Sequence, residues 1–583
     1  MKTIKEMLVF KALATATVFS LLPVAKANLT QNDHRFGVMT HFAHGWDPKW
    51  VCSVGQTSIL DVRDELYWQT VERERGRFSF PLEYDLYMGK LKRNHIEPLI
   101  VLSFENKNYD DGATPFTDDG IVAYTRYALE VLRHYGDQIK AVEVWNEYNG
   151  TFCKGPATQD RAGTYLRMLR AVYTAIKHER PDVLVVGGGT SGIPLPYWES
   201  LLSGGGLDFM DALSVHPYRY ESAPEGLEQD IAALKNLVEK YNGGPKKPIW
   251  VSEIGWDTRL SVAPGDLAID VNTQARFLVR AYALLISAGV ERVYWYLLHD
   301  YEGLNMGLFR DGSEQTAKPA SIAMKTLIQQ LRGTNFIKTE ATIAGLYSLV
   351  FSRASGEEVR VLWSTKPTEF AAQGALSAID IFGNAVAIGD TFKLDDSPLF
   401  VTGSLLGLPK APVASYNVLT DSVRDFSARQ GGQGWSYGVF VGDSTTFIPL
   451  PNFTTTDWAQ VWSGKFPYLA LTARDQHPSK EDQNPVAAVR RWVSSVTGQV
   501  KVVGQFRCGT HGDGVGVSIL VDGARRFRKL IGGKDGQPVV ETFDFVQNVQ
   551  PGSTIDFAVD PGPATDIDFD ATSVSITINQ ESR

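Results

Sequence analysis

Between residues 28 and 333 the chain alternates eight short apolar runs with longer stretches of amphipathic, helical period. The runs are Phe36–Phe42, Ile59–Arg63, Pro98–Leu102, Ala141–Trp145, Val183–Gly187, Ala212–Val215, Pro248–Ser252 and Val293–Tyr296. Helical stretches between them include Ile121–Tyr135, Arg161–Glu179, Leu227–Tyr241 and Asn272–Ala288. Runs that are apolar at successive positions, such as LIVL and VLVV, suit strands covered on both faces. Regular strand–helix alternation implies a parallel sheet whose crossovers are the helices. Eight such units in a segment of this length predict a closed (β/α)8 barrel, an α/β fold. An open doubly wound sheet is the alternative, and it would more naturally use a shorter chain.

Beyond residue 333 the helical period disappears. Residues 334–406 hold short strands, among them Leu349–Ser352, Val359–Trp363 and Ala378–Ile381, which predict a small β-sandwich beside the barrel. Residues 407–412 (GLPKAP) read as a linker. Residues 413–583 are β-rich again, with strands expected at Val500–Phe506, Gly516–Val521, Val539–Phe545 and Thr554–Val559. The turns between them predict a jelly-roll-like sandwich. A module with its own β pattern behind a linker is expected to be removable without unfolding the rest.

The first 27 residues follow a different logic. Lys2, Lys5 and Lys11 precede an apolar stretch from Ala12 to Ala25, and Ala25-Lys26-Ala27 forms a small-x-small site. That pattern predicts a cleaved export signal, a mature chain beginning at Asn28, and a secreted or periplasmic protein. The apolar stretch is too short to span a bilayer, and no other segment is a candidate span. Export permits a disulfide. Cys52 and Cys153 fall in loops after the first and fourth strands, on one barrel face, and are the candidate pair; Cys508 is left over. Their spacing does not suit zinc, and neither a metal nor a cofactor is expected. With 57 basic and 66 acidic side chains the net charge is 57 − 66 = −9. An acidic chain without a basic block is a poor nucleic-acid partner. Nothing in the pattern bears on oligomeric state. Its 13 Trp, 22 Tyr and 29 Phe supply flat faces on which sugar rings stack.

Two segments end buried strands in a carboxylate: AVEVWNEYNG at 141–150 and KPIWVSEIGWDT at 247–258. They belong to the fourth and seventh strands, whose C-terminal ends converge on the mouth of such a barrel. Glu147 and Glu253 would thus face each other from 253 − 147 = 106 residues apart. Glycosidic cleavage needs such a pair, one group protonating the leaving oxygen and the other attacking the anomeric carbon or activating water. Asn146 is placed to bond a sugar 2-hydroxyl. Burial and the charge of Glu253 should keep Glu147 protonated, while hydrogen bonds from Arg63 or Tyr218 keep Glu253 ionised. A lone Glu at a strand end is ordinarily solvated or ion-paired; two in barrel register are not explained that way.

The motifs around these residues resemble those of clan A glycoside hydrolases. WNE at 145–147 is similar to the clan's acid/base motif and SEIGW at 252–256 to its nucleophile motif. VRDELYWQTVERERGRFSF at 62–80 resembles the second-strand region of family 39 and its relatives, where Arg63 matches the arginine supporting the nucleophile. His41 in MTHF resembles the histidine ending their first strand. SVHPYRY at 214–220 resembles the sixth-strand motif, with His216 and Tyr218. VYWYLLHD at 293–300 places Trp295 where the clan has an aromatic floor under the bound sugar, and Trp256 joins the same substrate-binding set. The small sandwich also fits family 39. The resemblance implies a retaining hydrolase acting on a β-linked glycan or glycoside, with Glu147 as acid/base and Glu253 as nucleophile. A non-catalytic carbohydrate-binding protein on the same scaffold and an inverting enzyme are the alternatives. Carboxyl separation distinguishes the last, about 5–5.5 Å for retention against about 6.5–9.5 Å for inversion. NEYNG departs from the commoner NEPN-like acid motif, and the first-strand loop GWDPKWVCSVG is this chain's own; both bear on which sugar fits.

The C-terminal module, through QGGQGWSYG at 430–438 and VRRWVSS at 489–495, resembles β-sandwich modules of secreted polysaccharide-active enzymes. A carbohydrate-binding or spacer role follows from that resemblance. Asp566, Asp568 and Asp570 alternate along one strand face and read as a solvated row rather than a calcium site.

Overall fold

A computed structural model describes residues 33–581 apart from 221, 260–268, 341–344, 372–376, 390, 404–415, 456–458, 483, 509–513, 533–538, 563–566 and 568–569. The export signal, the 407–412 linker, Asp566 and Asp568 lie outside the described residues.

Eight parallel strands close into a barrel in chain order: β1 (Phe36–Met39), β2 (Asp61–Tyr67), β3 (Glu97–Ser103), β4 (Ala141–Val144), β5 (Leu184–Ser191), β6 (Ala212–His216), β7 (Ile249–Ile254) and β8 (Arg292–Trp295). Helices Asp118–Tyr135, Arg161–Glu179, Leu227–Tyr241 and Val271–Ser287 cover the outside. Three of them begin at a side-chain cap: Thr117 accepts from Gly120 N–H, Asp160 from Gly163 N–H and Asp270 from Thr273 N–H. Such caps satisfy backbone donors that the first helical turn leaves unpaired. Strand β1 ends three residues before the expected Phe42. Asp64 draws the chain aside there, accepting from Phe42 N–H (2.9 Å) and Thr40 Oγ1 (2.7 Å).

Alternation along the strands sorts the barrel interior into layers. The lowest is apolar, built from Leu99, Ala141, Val186, Ala212, Trp250 and Tyr294. Gly37 is required there, because a Cβ at that position would lie 2.3 Å from the Tyr294 ring. The next layer contains Arg63, Glu143, Ser214 and Ser252, all fully buried. His41, Glu65, His216 and Glu253 stand above them at the mouth. Two strands depart from plain alternation. The pairing of β5 with β6 shifts between Gly187 and Thr190, and that of β7 with β8 between Val251 and Ile254. Such bulges re-aim side chains, and the one in β7 lets Ser252 and Glu253, though adjacent, both join the central network.

A six-stranded antiparallel sheet follows, spanning Asn335–Thr339 to Leu399–Thr402. Leu349, Phe351, Val361, Trp363 and Phe400 on one of its faces join the barrel's own core. The other face forms a small cluster with Leu394 of the two-stranded sheet. Residues from Tyr416 onward form two antiparallel sheets of eight and seven strands around a separate core that includes Trp435, Trp462, Trp492, Phe543 and Phe557.

All three cysteines are free thiols, so the candidate Cys52–Cys153 bridge is not formed. Cys52 is exposed on the short helix Val51–Gln56, whereas Cys153 is buried beside Tyr148 and Arg161, and that burial pushes its thiol pKa up. Sharing a barrel face did not bring the two loops into bonding geometry. Among the described residues no helix is long and apolar enough to cross a membrane.

Candidate active site

Arg63 is the hub of the barrel mouth. It is fully buried and donates from Nε to Glu143 (2.6 Å), from Nη1 to Glu253 (2.6 Å) and from Nη2 to Asn146 Oδ1 (2.7 Å). Burial works against its charge, but the carboxylates of Glu143 and Glu253 outweigh it and raise its pKa. The fork of a guanidinium suits this divided task, since its donors are fixed in one plane. Because Arg63 can only donate, the Asn146 amide is oriented with its oxygen inward, leaving its NH2 group to bond elsewhere.

Glu253 receives a second donor, Tyr218 Oη at 2.8 Å. Burial and the charge of Glu253 hold the Tyr218 phenol well above its usual range, so it remains an O–H donor. Glu147 is reached through a tight backbone turn in which Trp145 (φ 69°) and Glu147 (φ 46°) are both left-handed. That conformation disfavours side chains other than glycine, and residues held in it cluster at functional sites. The turn is tied down by Glu147 N–H donating to Gly189 O at 2.7 Å. Gly189 lies in the β5 bulge, where a Cβ would come within 3.0 Å of Glu143.

His216 links the two glutamates. Its Nδ1 lies 2.9 Å from Glu147 Oε1 and 3.7 Å from Glu253 Oε2, and its Nε2 lies 2.9 Å from Ser252 Oγ. Ser252 and Ser214 donate onward to Glu143. Burial pushes the imidazole pKa down, but the charge of Glu253 and the bond to Glu147 prevail and it rises. A raised folded-state value adds stability that is fully present below the unfolded value near 6.5 and is lost as pH rises through the folded one. His216→Asn should therefore lose most stability relative to wild type at about pH 5.5, and the deficit should shrink by about pH 8.5. Urea denaturation at the two pH values checks this; a deficit that grows with pH would sink it.

A second group lines the mouth beside this network. Glu65 Oε2 lies 3.4 Å from His41 Nδ1 and 3.0 Å from His44 Nε2, and Tyr67 hydrogen-bonds both His44 and Glu65. Burial alone would raise the Glu65 pKa, but the two histidines hold it well below the carboxylate range. His41 Nε2 meets Tyr296 Oη at 3.2 Å. The trio His41, His44 and Glu65 has a donor set that could hold a divalent metal, yet both imidazoles turn to one carboxylate oxygen, which ion pairing accounts for. The first-strand loop is anchored by His299, sandwiched between Trp46 (3.7 Å) and Trp50 (4.0 Å). Burial there pushes its pKa down to about 4, which keeps the stacked ring neutral.

The sequence-derived set is thus brought together in seven of its nine members: Glu147, Glu253, Arg63, His41, Asn146, His216 and Tyr218. Trp295 and Trp256 are corrections. Both are buried to within 1% and have no face free for a sugar. Trp295 donates to Met306 O (2.9 Å), and Trp256 to Arg219 O and Ser222 O (both 2.9 Å). Trp295 follows the interior residue Tyr294 and so points to the helix layer; Tyr296, next in alternation, stands at the mouth beside His41 and Tyr218. Of the other loop aromatics, Trp46, Trp50, Tyr148 and Trp198 are buried, while Phe152 is exposed and stacks on Phe104 at 5.1 Å. Sequence reasoning missed Glu143, Glu65, His44 and Tyr296. Glu143 left a signal, a charge inside the apolar run AVEVW that demands a buried partner.

No family model and no curated protein matches this sequence. Solved structures do. A family 39 glycoside hydrolase from the gut symbiont Bacteroides cellulosilyticus WH2 superposes with a TM-score of 0.56 at 23% identity, over 64% of this chain and 81% of that one. The catalytic domain of the family 30 xylanase C from Talaromyces cellulolyticus gives 0.49 at 12%, over 64% and 98%. A family 39 β-xylosidase from Caulobacter crescentus gives 0.44 at 16%, over 63% and 95%. What this chain shares with the first of these is the fold.

Proposed function

We propose that this protein is an exported retaining glycoside hydrolase that cleaves a β-linked glycan or glycoside by double displacement. The observation that carries the reading is the spacing of the pair. Oxygens of Glu147 and Glu253 and a nitrogen of His216 all lie within 4.8 Å of one another. So close an approach suits the retaining range of about 5–5.5 Å better than the inverting one of about 6.5–9.5 Å. The fold shared with a family 39 hydrolase supports the same class.

In this reading the Glu253 carboxylate, aligned by Arg63 and Tyr218, attacks the anomeric carbon. Glu147 gives its proton to the departing glycosidic oxygen, and the bond between carbon and that oxygen breaks. The sugar is then held as an ester of Glu253. Glu147, now a carboxylate, takes a proton from water as the water oxygen attacks the same carbon and frees Glu253. The NH2 group of Asn146 is oriented for the sugar 2-hydroxyl, and Tyr296 supplies the ring face first expected of Trp295. Export rests on the N-terminal pattern, and a carbohydrate-binding role for the C-terminal sheets on their resemblance to appended modules.

Glu147→Ala should lose about 10²–10⁴-fold of turnover on glycosides with poor leaving groups, and much less on activated aryl glycosides, which need little protonation. Added azide should restore turnover on the aryl substrate and yield a glycosyl azide of retained configuration. Equal loss on both substrates with no azide effect would remove Glu147 from the acid/base role. Early-time NMR of wild-type product tests the stereochemistry: an inverted first anomer excludes double displacement.

A further inference from the structure

The loop between β6 and helix Leu227–Tyr241 carries Tyr218, and three parts of the molecule close on it. From the barrel, Trp256 binds its backbone at Arg219 and Ser222. From the six-stranded sheet, Trp363 Nε1 donates to Glu225 at 2.9 Å, and Arg280 of the barrel pairs with the same carboxylate. From the C-terminal sandwich, the Arg474 guanidinium lies over the Tyr220 ring, 5.9 Å from its centroid. Tyr220 in turn stacks on Tyr218, centroids 4.9 Å apart and planes 12° from parallel. Tyr218 donates to Glu253. A continuous series of contacts therefore joins the C-terminal sandwich to the glutamate read as nucleophile.

Arg474 is held firmly from behind. Arg490 is fully buried and donates to the backbone oxygens of Thr472 (2.7 Å), Ala473 (2.9 Å) and Asp475 (3.2 Å), while Val574 N–H donates to Arg474 O at 2.7 Å. A buried guanidinium turned to carbonyl groups fixes the path of that turn. Charges cross the same interface: Asp421 and Arg424 of the sandwich act on Arg219 and Asp230, which pair at 2.5 Å.

We infer that Arg474 is a positioning residue, holding Tyr220 flat against Tyr218 so that the Tyr218 hydroxyl stays on Glu253. The inference rests on the reading of Glu253 as nucleophile. It gives the C-terminal sandwich a part in turnover apart from any part in binding polysaccharide.

The test uses the full chain and an aryl glycoside that wild type turns over. R474A should lower kcat about two- to fivefold, the range that a partly exposed cation–π contact sustains, with KM little changed. R474K should recover most of the loss. Y218F should cost roughly tenfold or more, since it removes a hydrogen bond to a charged group. In the Y218F background, R474A should cost nothing further, because its route to the site is gone. Wild-type kcat in R474A, or an undiminished R474A effect on top of Y218F, overturns the inference. Turnover retained in E253Q would instead overturn the reading beneath it, whatever R474A does.

Discussion

Replacing Glu253 by Gln is expected to lower turnover by on the order of 10⁴-fold or more and to leave the fold intact. The amide fills the same space. Its oxygen can keep the Arg63 bond, and its NH2 group can face Tyr218, whose hydroxyl rotates to accept. What the amide lacks is a carboxylate oxygen able to form the glycosyl ester, so no covalent intermediate should build up. A mechanism-based fluoro-sugar should label wild type once, on the peptide WVSEIGW at 250–256, and should leave the variant unlabelled. Peptide mapping decides. Label on any other carboxylate would displace Glu253 from the centre of the mechanism.

Arg63→Met should be the most destabilising substitution at the mouth, costing about 3–5 kcal/mol. The size follows from what it leaves behind. Glu143 is fully buried, and without Arg63 its remaining donors among the described residues are the hydroxyls of Ser214 and Ser252; Glu253 keeps Tyr218. An uncompensated buried carboxylate is far more expensive than a lost surface pair. Adding Glu143→Gln to Arg63→Met should recover part of the loss by removing the stranded charge. Urea denaturation near pH 7 measures both. A single variant within about 1 kcal/mol of wild type would mean that the network is not what holds the barrel mouth.

The two expectations draw on different kinds of legibility. Glu147 and Glu253 could be found because each ends a buried strand, and strand ends of one barrel face meet whatever their separation in the chain. His216 is reached only through motif resemblance, Arg63 and Tyr218 rest mainly on it, and the mutual geometry of the three comes with the structure. Glu143 was passed over even though its position was abnormal, because a charge within an apolar run says that a partner exists and not which one. Trp295 was misplaced by a single step of alternation, which sends neighbouring side chains to opposite faces of a strand.

The eight apolar runs and the helical periods between them determined the barrel from sequence alone. Those signals are local, repeated and redundant, so an error of a few residues at a strand end, as at Phe42, does not alter the result. The tertiary structure alone decided matters that depend on one residue's offset or on where distant loops lie. The β7 bulge turns both Ser252 and Glu253 into the network, and no periodicity in IWVSEI announces it. The free state of Cys52 and Cys153 depends on loop paths, not on shared barrel face. Arg474 reaches Tyr220 from 254 residues away in the chain, 474 − 220 = 254, through a pairing of surfaces that neither segment encodes by itself. Short-range pattern carries the scaffold because each strand must bury its own faces; the site's fine geometry is a property of surfaces that exist only once the scaffold has closed.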